Sequence, residues 1–347
     1  MDAKVKLSLD QAMQLAIDEA YKGAAFVSPN PKVGCVVLDS NGYLLSIGHH
    51  QFFGGPHAEV EALKNLSVDQ LKGASLIVTL EPCAHEGKTP SCAKKIATLP
   101  IAQVVYGIQD PNPLVAGQGA RILQDAGIQT FEYQGSLKAE LYDVCEEFLV
   151  NFTNKRVFVA MKVAQSLDGK IALKNGQSQW ITGPESRDEV QRIRSYYDAV
   201  LVGHGTLVKD DPSLNIRIPG LDKINWAVIL GLKKISKDMK VFKVRPTEKV
   251  VSLSGELSEI LQQMWDLGIR SVLVEGGSRV FSNFIKSGYV DRLHLFTAPI
   301  IMGQGMGWTD NLEILNLESV ARPQRIKTQM RGVDTYQSLA FGADYQR

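Results

Sequence analysis

The chain has 347 residues, a formal net charge of +1, and an ordinary balance of 44% hydrophobic and 22% charged residues. This length exceeds one average domain, and the composition excludes a disordered or collagen-like chain. No run of about 18 apolar residues occurs, so the sequence predicts no membrane-spanning helix.

The charge is divided unevenly along the sequence. Residues 1–150 contain 11 Lys and Arg against 17 Asp and Glu, a net of −6, and the remainder carries 27 against 20, a net of +7. An acidic first half is a poor surface for nucleic acid, so we expect no nucleic-acid partner. Four cysteines are too few for a disulfide framework, and the start reads as a helix and not as a signal peptide. We therefore expect a cytoplasmic protein.

The first half alternates between predicted strands and helices. It opens with an amphipathic helix that Ser8 caps together with Gln11, and two apolar strands then flank the hairpin signal Asn41-Gly42. A helix begins near His57. The next predicted segments are, in order, the strand ASLIVTL, a helix from about Cys92, the strand AQVVYGI, the helix GQGARILQDAGI and a short strand.

A polar helix, SLKAELYDVCEEFLVNFTNKR, marks the predicted domain boundary, with domains at 1–150 and 151–347. The second half alternates in the same way. It opens with the segment RVFVAMKVAQSLDGKIAL. The predicted elements that follow are the helix PESRDEVQRIRSYYDA, the strands VLVG and WAVILG, the helix ELSEILQQMWDLGI, the strand SVLVEGG, another helix and the strand RLHLFTAPIIMG. This pattern predicts an α/β fold in both domains.

Four residues of the first half have the spacing of a catalytic zinc site. His57, Cys83 and Cys92 supply one nitrogen and two sulfur ligands, and three protein ligands leave one position open for water. Glu59 lies two residues after His57, where its carboxylate can carry protons for that water. The pattern matches the H-x-E and P-C signature of zinc deaminases, although eight residues separate the two cysteines instead of two.

Simpler interpretations compete with this one. A lone H-x-E has little specificity, and isolated cysteines are more often buried packing residues, which is what we expect of Cys35 and Cys145. Two other functions are also open: a nucleic-acid or nucleoside deaminase fused to a separate reductase-like domain, and a non-catalytic fold stabilised by zinc. The joint spacing of the histidine, the glutamate and the two cysteines favours the catalytic interpretation.

Longer segments resemble the bifunctional deaminase–reductase family of riboflavin biosynthesis. They are SPNPKVGCVV, GHHQFFGGPHAEVEAL, VTLEPCAHEGKTPSCAKKI and IQDPNPLVAGQG. The family has the same long spacing between its cysteines, and its first domain has a cytidine-deaminase-like α/β/α fold. Ser91 stands where the family more often has proline. The resemblance implies that the pyrimidine and its ribose phosphate contact Asn30, His49, His85, Lys88, Asn112, Ala116 and Gly117.

The second half resembles the dihydrofolate-reductase-like α/β reductase domain of the same family, through MKVAQSLDGKIAL, SQWITG, VGHGTLVKDDPSLNIR and VLVEGGSRVFSNF. EGGSRV, between a strand and a helix, suits a phosphate, although glycine pairs commonly form turns. The resemblance implies an NADPH site lined by Ala164, Trp180, Thr206, Asp210, Gly277, Ser278, Arg279, Val280, Phe281, Ser282 and Asn283. It implies substrate contacts from Ser178, Arg194, Leu214, Arg217 and Glu275.

The resemblance thus implies a two-domain enzyme with one Zn²⁺ per chain and with NADPH. Arg194 and Arg217 are suited to clamp the substrate phosphate, because guanidinium groups bind phosphate with two parallel hydrogen bonds. Asn215 replaces a residue that is often threonine in the family, and Asp168 is expected to build a turn only. We expect a homo-oligomer that acts on a small phosphorylated pyrimidine and binds no membrane.

Overall fold

A computed structural model describes residues 5–84, 90–112, 116–231 and 234–341. The chain folds as two compact units, Met1–Lys155 and Arg156–Arg347. The boundary predicted at residue 150 lies inside the last helix of the first unit, which ends at Thr153. Within the described ranges, none of the helices is long and apolar enough to cross a bilayer.

The first unit contains a five-stranded mixed sheet in the order β2-β1-β3-β4-β5. Strands β3, β4 and β5 are parallel, and β1 is antiparallel to both β2 and β3. Its elements are α1 (Leu9–Lys22), β1 (Gly34–Leu38), β2 (Leu44–His49), α2 (Ala58–Leu63), β3 (Ala74–Leu80), α3 (Cys92–Ile96), β4 (Ile101–Ile108), α4 (Gln118–Asp125), β5 (Gln129–Glu132) and α5 (Lys138–Thr153).

Helices cover both faces of this sheet. Buried side chains of α2, α3 and α4 form one apolar cluster with the sheet, and this cluster includes Cys35 and Cys92. Helices α1 and α5 contact the strands from the other layer. The predicted cap of α1 is confirmed, because the Gln11 amide donates to the Ser8 hydroxyl and the Ser8 amide donates to the Gln11 side chain. The result is the α/β/α arrangement of the predicted first domain.

The second unit contains an eight-stranded sheet in the order β10-β9-β8-β11-β6-β12-β15-β14. The first six strands in that order are parallel, and β15 and β14 continue the sheet in antiparallel fashion. The strands are β6 (Phe158–Ser166), β7 (Lys170–Leu173), β8 (Ala199–Gly203), β9 (Trp226–Leu230), β10 (Val250–Leu253), β11 (Ser271–Val274), β12 (Arg292–Ala298), β13 (Gly305–Gly307), β14 (Arg325–Arg331) and β15 (Asp334–Ala340).

Helices of the second unit follow the parallel strands, and β7 pairs with β13 in a separate two-stranded sheet. The helices are α6 (Pro184–Tyr196), α7 (His204–Asp210), α8 (Lys240–Lys243), α9 (Leu257–Asp266) and α10 (Ser278–Ser287), with 3-10 turns at Thr247–Lys249 and Leu317–Ser319. The predicted alternation is confirmed. Sequence reasoning did not identify α7, β10 or the β14–β15 hairpin, because these segments are short or largely polar on both faces.

Candidate active sites

Three side chains of the first unit meet where strands end and helices begin. His57 precedes the first residue of α2, Cys83 follows β3, and Cys92 is the first residue of α3. The His57 Nδ1 atom lies 3.5 Å from the Cys83 sulfur and 3.3 Å from the Cys92 sulfur. All three donor atoms lie within 4.8 Å of one another.

These separations fit a single zinc ion. Zn–N and Zn–S bonds of tetrahedral sites predict that a nitrogen and a sulfur ligand lie about 3.5 Å apart. The two nitrogen–sulfur distances have that length, and one imidazole with two thiols is a donor set that Zn²⁺ prefers. A three-ligand site of this kind leaves a fourth position for water or substrate, which is the property of a catalytic zinc centre.

The thiols of Cys83 and Cys92 are hydrogen-bonded to each other, so that the ionisation of one depends on the other. A hydrogen bond from the Cys92 thiol holds the pKa of Cys83 at about 4, and the Cys92 backbone amide also donates to the Cys83 sulfur over 3.3 Å. The same pairing with Cys83, together with burial, raises the pKa of Cys92 above its ordinary value. One sulfur is therefore readily ionised, and thiolate is the form that binds a metal.

Glu59 lies in the first turn of α2, two residues after His57, and its side chain is buried. Burial raises the pKa of Glu59, and the nearby Cys83 thiolate raises it further. A carboxyl group whose pKa is raised toward neutrality can both accept and return a proton, which general acid–base catalysis requires. The geometry therefore gives Glu59 the means to carry protons beside the three donor atoms.

Among the described residues, His50 and not the predicted His49 lies beside His57. His49 turns toward α1, where its Nδ1 atom lies 3.1 Å from a carboxylate oxygen of Glu19. His50 is buried, its ring makes an edge contact with His57 at 5.4 Å, and its Nε2 atom lies 3.0 Å from the Asn30 amide nitrogen. The structure therefore places His50 beside the predicted metal donor His57, whereas sequence reasoning singled out the preceding residue, His49.

The loop before α4 carries three other predicted substrate contacts, Asn112, Ala116 and Gly117. The Ala116 amide donates to the Asn112 carbonyl over 2.7 Å, and the Gly117 amide donates to the Glu81 carboxylate over 3.0 Å. Both amides expected near a phosphate thus already have intramolecular acceptors. The predicted contacts His85 and Lys88 lie outside the described residues.

Glu81 ties this loop to the metal-binding segment. It is buried at the end of β3, two residues before Cys83, and its carboxylate also accepts the amides of Asp110 and Ala120 over 3.3 and 3.1 Å. A carboxylate at the amino end of a helix is stabilised by the helix dipole. Glu81 therefore fixes the start of α4 against the segment that holds Cys83.

A cleft of about 1500 Å³ opens in the second unit at the carboxyl ends of its parallel strands. Most residues predicted to bind NADPH line it: Ala164, Trp180, Thr206, Asp210, Gly277, Ser278, Arg279, Val280, Phe281 and Asn283. Four predicted substrate contacts also line it: Ser178, Arg194, Arg217 and Glu275. Ser282 and Leu214 do not, because both side chains are buried behind the cleft wall.

Close backbone packing shapes the amino end of α10 in this cleft. A Cβ atom on Gly276 would lie only 2.9 Å from the backbone nitrogen of Gly203, at the end of β8. Gly276 therefore lets the segment between β11 and α10 approach the neighbouring strand. Gly277 then precedes the first residue of α10, where unpaired amides favour an anionic group. The segment EGGSRV, which the sequence predicts to bind a phosphate, therefore lies at the amino end of a helix beside the cleft.

A charged group lies deep in the same cleft. Arg194 on α6 donates twice to the Glu275 carboxylate, over 2.6 and 2.7 Å, and Lys162 on β6 lies 3.7 Å from it. Burial alone would raise the pKa of Glu275, but the positive charges of Arg194 and Lys162 outweigh it and hold that pKa at about 2. Lys162 belongs to the quoted segment MKVA, yet sequence reasoning did not single it out.

Helix α6, which carries Arg194, is fixed at its amino end by the hairpin β14–β15. The buried Asp334 carboxylate accepts the Gly183 amide over 2.7 Å and the Ser186 hydroxyl over 2.6 Å.

The predicted turn role of Asp168 also has a structural basis, because its carboxylate accepts the Ser166 hydroxyl and the amides of Met302 and Gly303.

Two family models match the chain, one in each unit. The cytidine and deoxycytidylate deaminase zinc-binding region matches residues 7–108, and the RibD C-terminal domain matches residues 157–337, which is more than half of the chain. The riboflavin biosynthesis protein RibD of Aquifex aeolicus is 36% identical over 344 residues, which cover 93% of this chain and 95% of that protein. The chain belongs to the RibD family.

Solved structures of RibD proteins extend the likeness over both units. RibD of Acinetobacter baumannii is 32% identical with a TM-score of 0.83, covering 97% of this chain and 100% of that one. A deaminase/reductase from Thermotoga maritima is 36% identical with a TM-score of 0.83, covering 96% of this chain and 99% of that one. This RibD-family chain is therefore a deaminase and a reductase, and its cofactors are Zn²⁺ and NADPH.

Two departures from the family pattern have clear structural roles in this RibD-family chain. The Ser91 hydroxyl caps α3 by accepting the Lys94 amide over 3.2 Å, and it donates to the Cys83 carbonyl over 2.7 Å. The Asn215 side chain accepts the Ser213 hydroxyl over 2.6 Å. Ser91 therefore supports the metal-binding segment directly, and Asn215 stabilises the turn that precedes Arg217.

Proposed function

We propose that the chain catalyses two successive steps of riboflavin synthesis. The first is the hydrolytic deamination of 2,5-diamino-6-(5-phosphoribosylamino)pyrimidin-4(3H)-one, and the second is the NADPH-dependent reduction of the product's ribosyl group to ribityl. The observation that carries the proposal is the meeting of His57, Cys83 and Cys92 beside the buried Glu59 carboxyl. The reductase cleft of the second unit supports the second step.

In the proposed deaminase site, the three donors hold the metal and Glu59 moves the protons. A zinc ion supplies the Lewis acidity that makes water a nucleophile near neutral pH. Glu59 takes a proton from the attacking water and delivers protons toward the ring nitrogen and the departing ammonia, so that a carbonyl replaces the amino group. Asn30 and His50 support this role, because their side chains bond to each other beside His57.

In the proposed reductase site, the cleft orients the sugar and the cofactor. NADPH supplies a hydride to the ribosyl carbon. Arg194 and Arg217 line the cleft and suit the substrate phosphate.

We assign to Lys162 the delivery of the proton that accompanies the hydride, since its ammonium group faces the cleft beside Glu275. Replacing Lys162 with Met should lower the maximal rate of NADPH oxidation and spare ammonia release; an unchanged rate would remove Lys162 from this role.

A coupled assay tests the two-step proposal. The diaminopyrimidinone phosphate is supplied to the purified protein, ammonia is measured first, and NADPH oxidation is followed after it. We expect ammonia without added NADPH, and NADPH oxidation only after deamination has occurred. A chelator should stop ammonia release and leave the reduction of substrate that is already deaminated. Absence of ammonia from a zinc-loaded preparation would contradict the proposal.

Two competing functions make different predictions. A nucleic-acid deaminase is not favoured, because RibD relatives match both units of the chain. We propose that the chain binds no nucleic acid, which a gel shift with tRNA or single-stranded DNA would test. A non-catalytic zinc fold would have no use for a buried Glu59 beside the donors, and an ammonia-release assay paired with zinc analysis separates that case.

Cellular location and assembly complete the proposal. We propose a cytoplasmic location, because Cys83 and Cys92 must remain reduced to bind a metal and their sulfurs lie close together.

We also propose a homo-oligomer, supported by exposed apolar side chains of Ile326 and Met330 on the edge strand β14. Light scattering that gave a monomer mass at micromolar concentration would contradict the oligomer.

A further inference from the structure

Arg245 is a buried cation that the two proposed reactions do not use. It lies between α8 and the 3-10 turn Thr247–Lys249, and only 7% of its surface is exposed. Burial and the nearby charge of Arg194 lower the pKa of Arg245 to about 10, and no carboxylate of the described residues offsets them. Its Nε atom has no hydrogen-bond partner there. A charge buried at this cost requires a reason.

The guanidinium of Arg245 holds a strained turn beside the reductase cleft. It donates to the Ser213 carbonyl over 2.6 Å. The next residue, Leu214, is buried with φ of +53°, a left-handed conformation that costs a branched side chain free energy. On the other side of Leu214, Arg194 donates to the Asn215 carbonyl over 3.2 Å. Two arginines therefore hold the carbonyl groups that flank the strained residue.

This turn sets the position of Arg217. The Arg217 amide donates to the Gln191 side chain over 3.0 Å, and its guanidinium lies 3.4 Å from the Asn215 side chain. A second tie between the same two segments runs from the Lys240 amide to the Asp211 carboxylate over 2.9 Å. Arg245 thus acts on Arg217 through the backbone of the turn, and it does not itself line the cleft.

The charges around the turn do not balance. Lys162, Arg194, Arg217 and Arg245 are positive, and within the described ranges the Glu275 carboxylate acts on the first three of them. Burial and the charge of Arg194 lower the pKa of Arg217 as well. Such an excess of positive charge beside the turn is relieved when a multiply charged anion enters the cleft.

We propose that Arg245 is a positioning residue that sets the preference of the reductase half for a sugar bearing a phosphate dianion. It does so in two ways: its hydrogen bond fixes the turn that presents Arg217, and its uncompensated charge favours a dianion at the neighbouring arginines. The inference rests on the proposed reduction step, and it names the group of the substrate that this end of the cleft recognises.

The test compares the deaminated substrate with its dephosphorylated form in the full chain. For R245Q, loss of the buried charge and of the turn contact should raise the KM for the phosphorylated form about tenfold, with kcat unchanged. The KM for the dephosphorylated form should change less than about twofold, because that form lacks the dianion that Arg245 favours. Ammonia release should stay at the wild-type rate. R322Q, which removes an exposed arginine of the same unit, is the matched control.

The outcomes separate the possible failures. Equal changes of KM for both substrates, or a loss in kcat alone, would overturn the role of Arg245. If the wild-type protein oxidised NADPH with neither substrate, the proposed reduction itself would fail. If R245Q lost NADPH binding through misfolding, R245K would decide: it keeps the charge, and it should retain the preference for the phosphorylated form within about threefold. Loss of the preference in a folded R245K that still binds NADPH would overturn the proposal.

Discussion

The two candidate sites differ in how far apart in the sequence their residues lie. The zinc donors and Glu59 all come from residues 57–92, on two strand-to-helix connections of one small sheet. The cleft of the second unit is lined by residues from Lys162 to Asn311, which belong to many separate elements. A site built from neighbouring connections leaves a compact motif in the sequence, whereas a site built from many elements leaves only scattered residues.

The sites also differ in the source of their positive charge. The first gathers two thiols and a carboxyl group, which need a cation from outside the chain. The second brings its own cations, Arg194, Arg217 and Lys162, around the buried carboxylate of Glu275. The first site therefore depends on a bound metal, and the second on an anionic ligand.

The largest expected effect is the loss of metal from the first site. C83A removes one of three donors, so the protein should lose bound zinc and all measurable ammonia release. C145A is the matched control, because Cys145 is fully buried in α5 and is not one of the donors. It should keep its zinc and lose only ~1 kcal/mol of stability. Elemental analysis measures the bound zinc, and thermal unfolding measures the stability. A C83A protein that kept its full zinc content would contradict the assignment of Cys83 as a donor.

The next effect concerns the charges of the second site. E275Q leaves Arg194 and Lys162 without their buried carboxylate and should reduce the stability of the folded protein by about 3 kcal/mol. E248Q, at an exposed position of the same unit, should have no such effect. Chemical denaturation at neutral pH, followed by a probe in the second unit, gives the comparison. A stability of E275Q equal to that of E248Q would contradict the buried ion pair.

The same ion pair predicts a pH dependence. The pKa of Glu275 is about 2 in the folded protein and lies below its ordinary value, so its contribution is fully present above about pH 5. The contribution should disappear as the pH falls from 5 toward 2. The wild type and E275Q should therefore converge in stability over that range, and a difference that stayed constant would show that another group is responsible.

A smaller effect distinguishes the two adjacent histidines of β2 and the turn after it. H50A should lower ammonia release by about 10- to 100-fold, because His50 bonds to Asn30 and contacts the His57 ring. H49A breaks a contact with Glu19 on α1 and should change the rate less than about threefold. Steady-state ammonia assays decide between them. A larger effect of H49A would restore the role that the sequence suggested for it.

Local patterns explain which parts of this structure could be predicted. The Ser8–Gln11 cap, the helix that begins after His57 and the strand before Cys83 each follow from a few neighbouring residues, and all are present. The same is true of the alternating strands and helices of the second unit. The resemblance to a family then supplied candidate residues of the cleft, and ten of those it implied for the cofactor do line the cleft.

Long-range contacts explain the rest. The choice between His49 and His50 depends on which face of β2 meets α1, and no spacing in the sequence shows that. Leu214 and Ser282 lie in matching segments, but the backbone turns their side chains away from the cleft. Arg245 is distant in sequence from Ser213, so only the folded chain reveals their contact.

The most direct test of the central claim is the E59Q variant in an assay that measures zinc and both reactions. Removing the proton carrier should lower ammonia release by about 10²- to 10⁴-fold. The zinc content should stay at the wild-type level, and NADPH oxidation with substrate that is already deaminated should be unchanged, because that cleft lies in the second unit. Undiminished ammonia release from E59Q, or loss of both reactions together, would contradict the account.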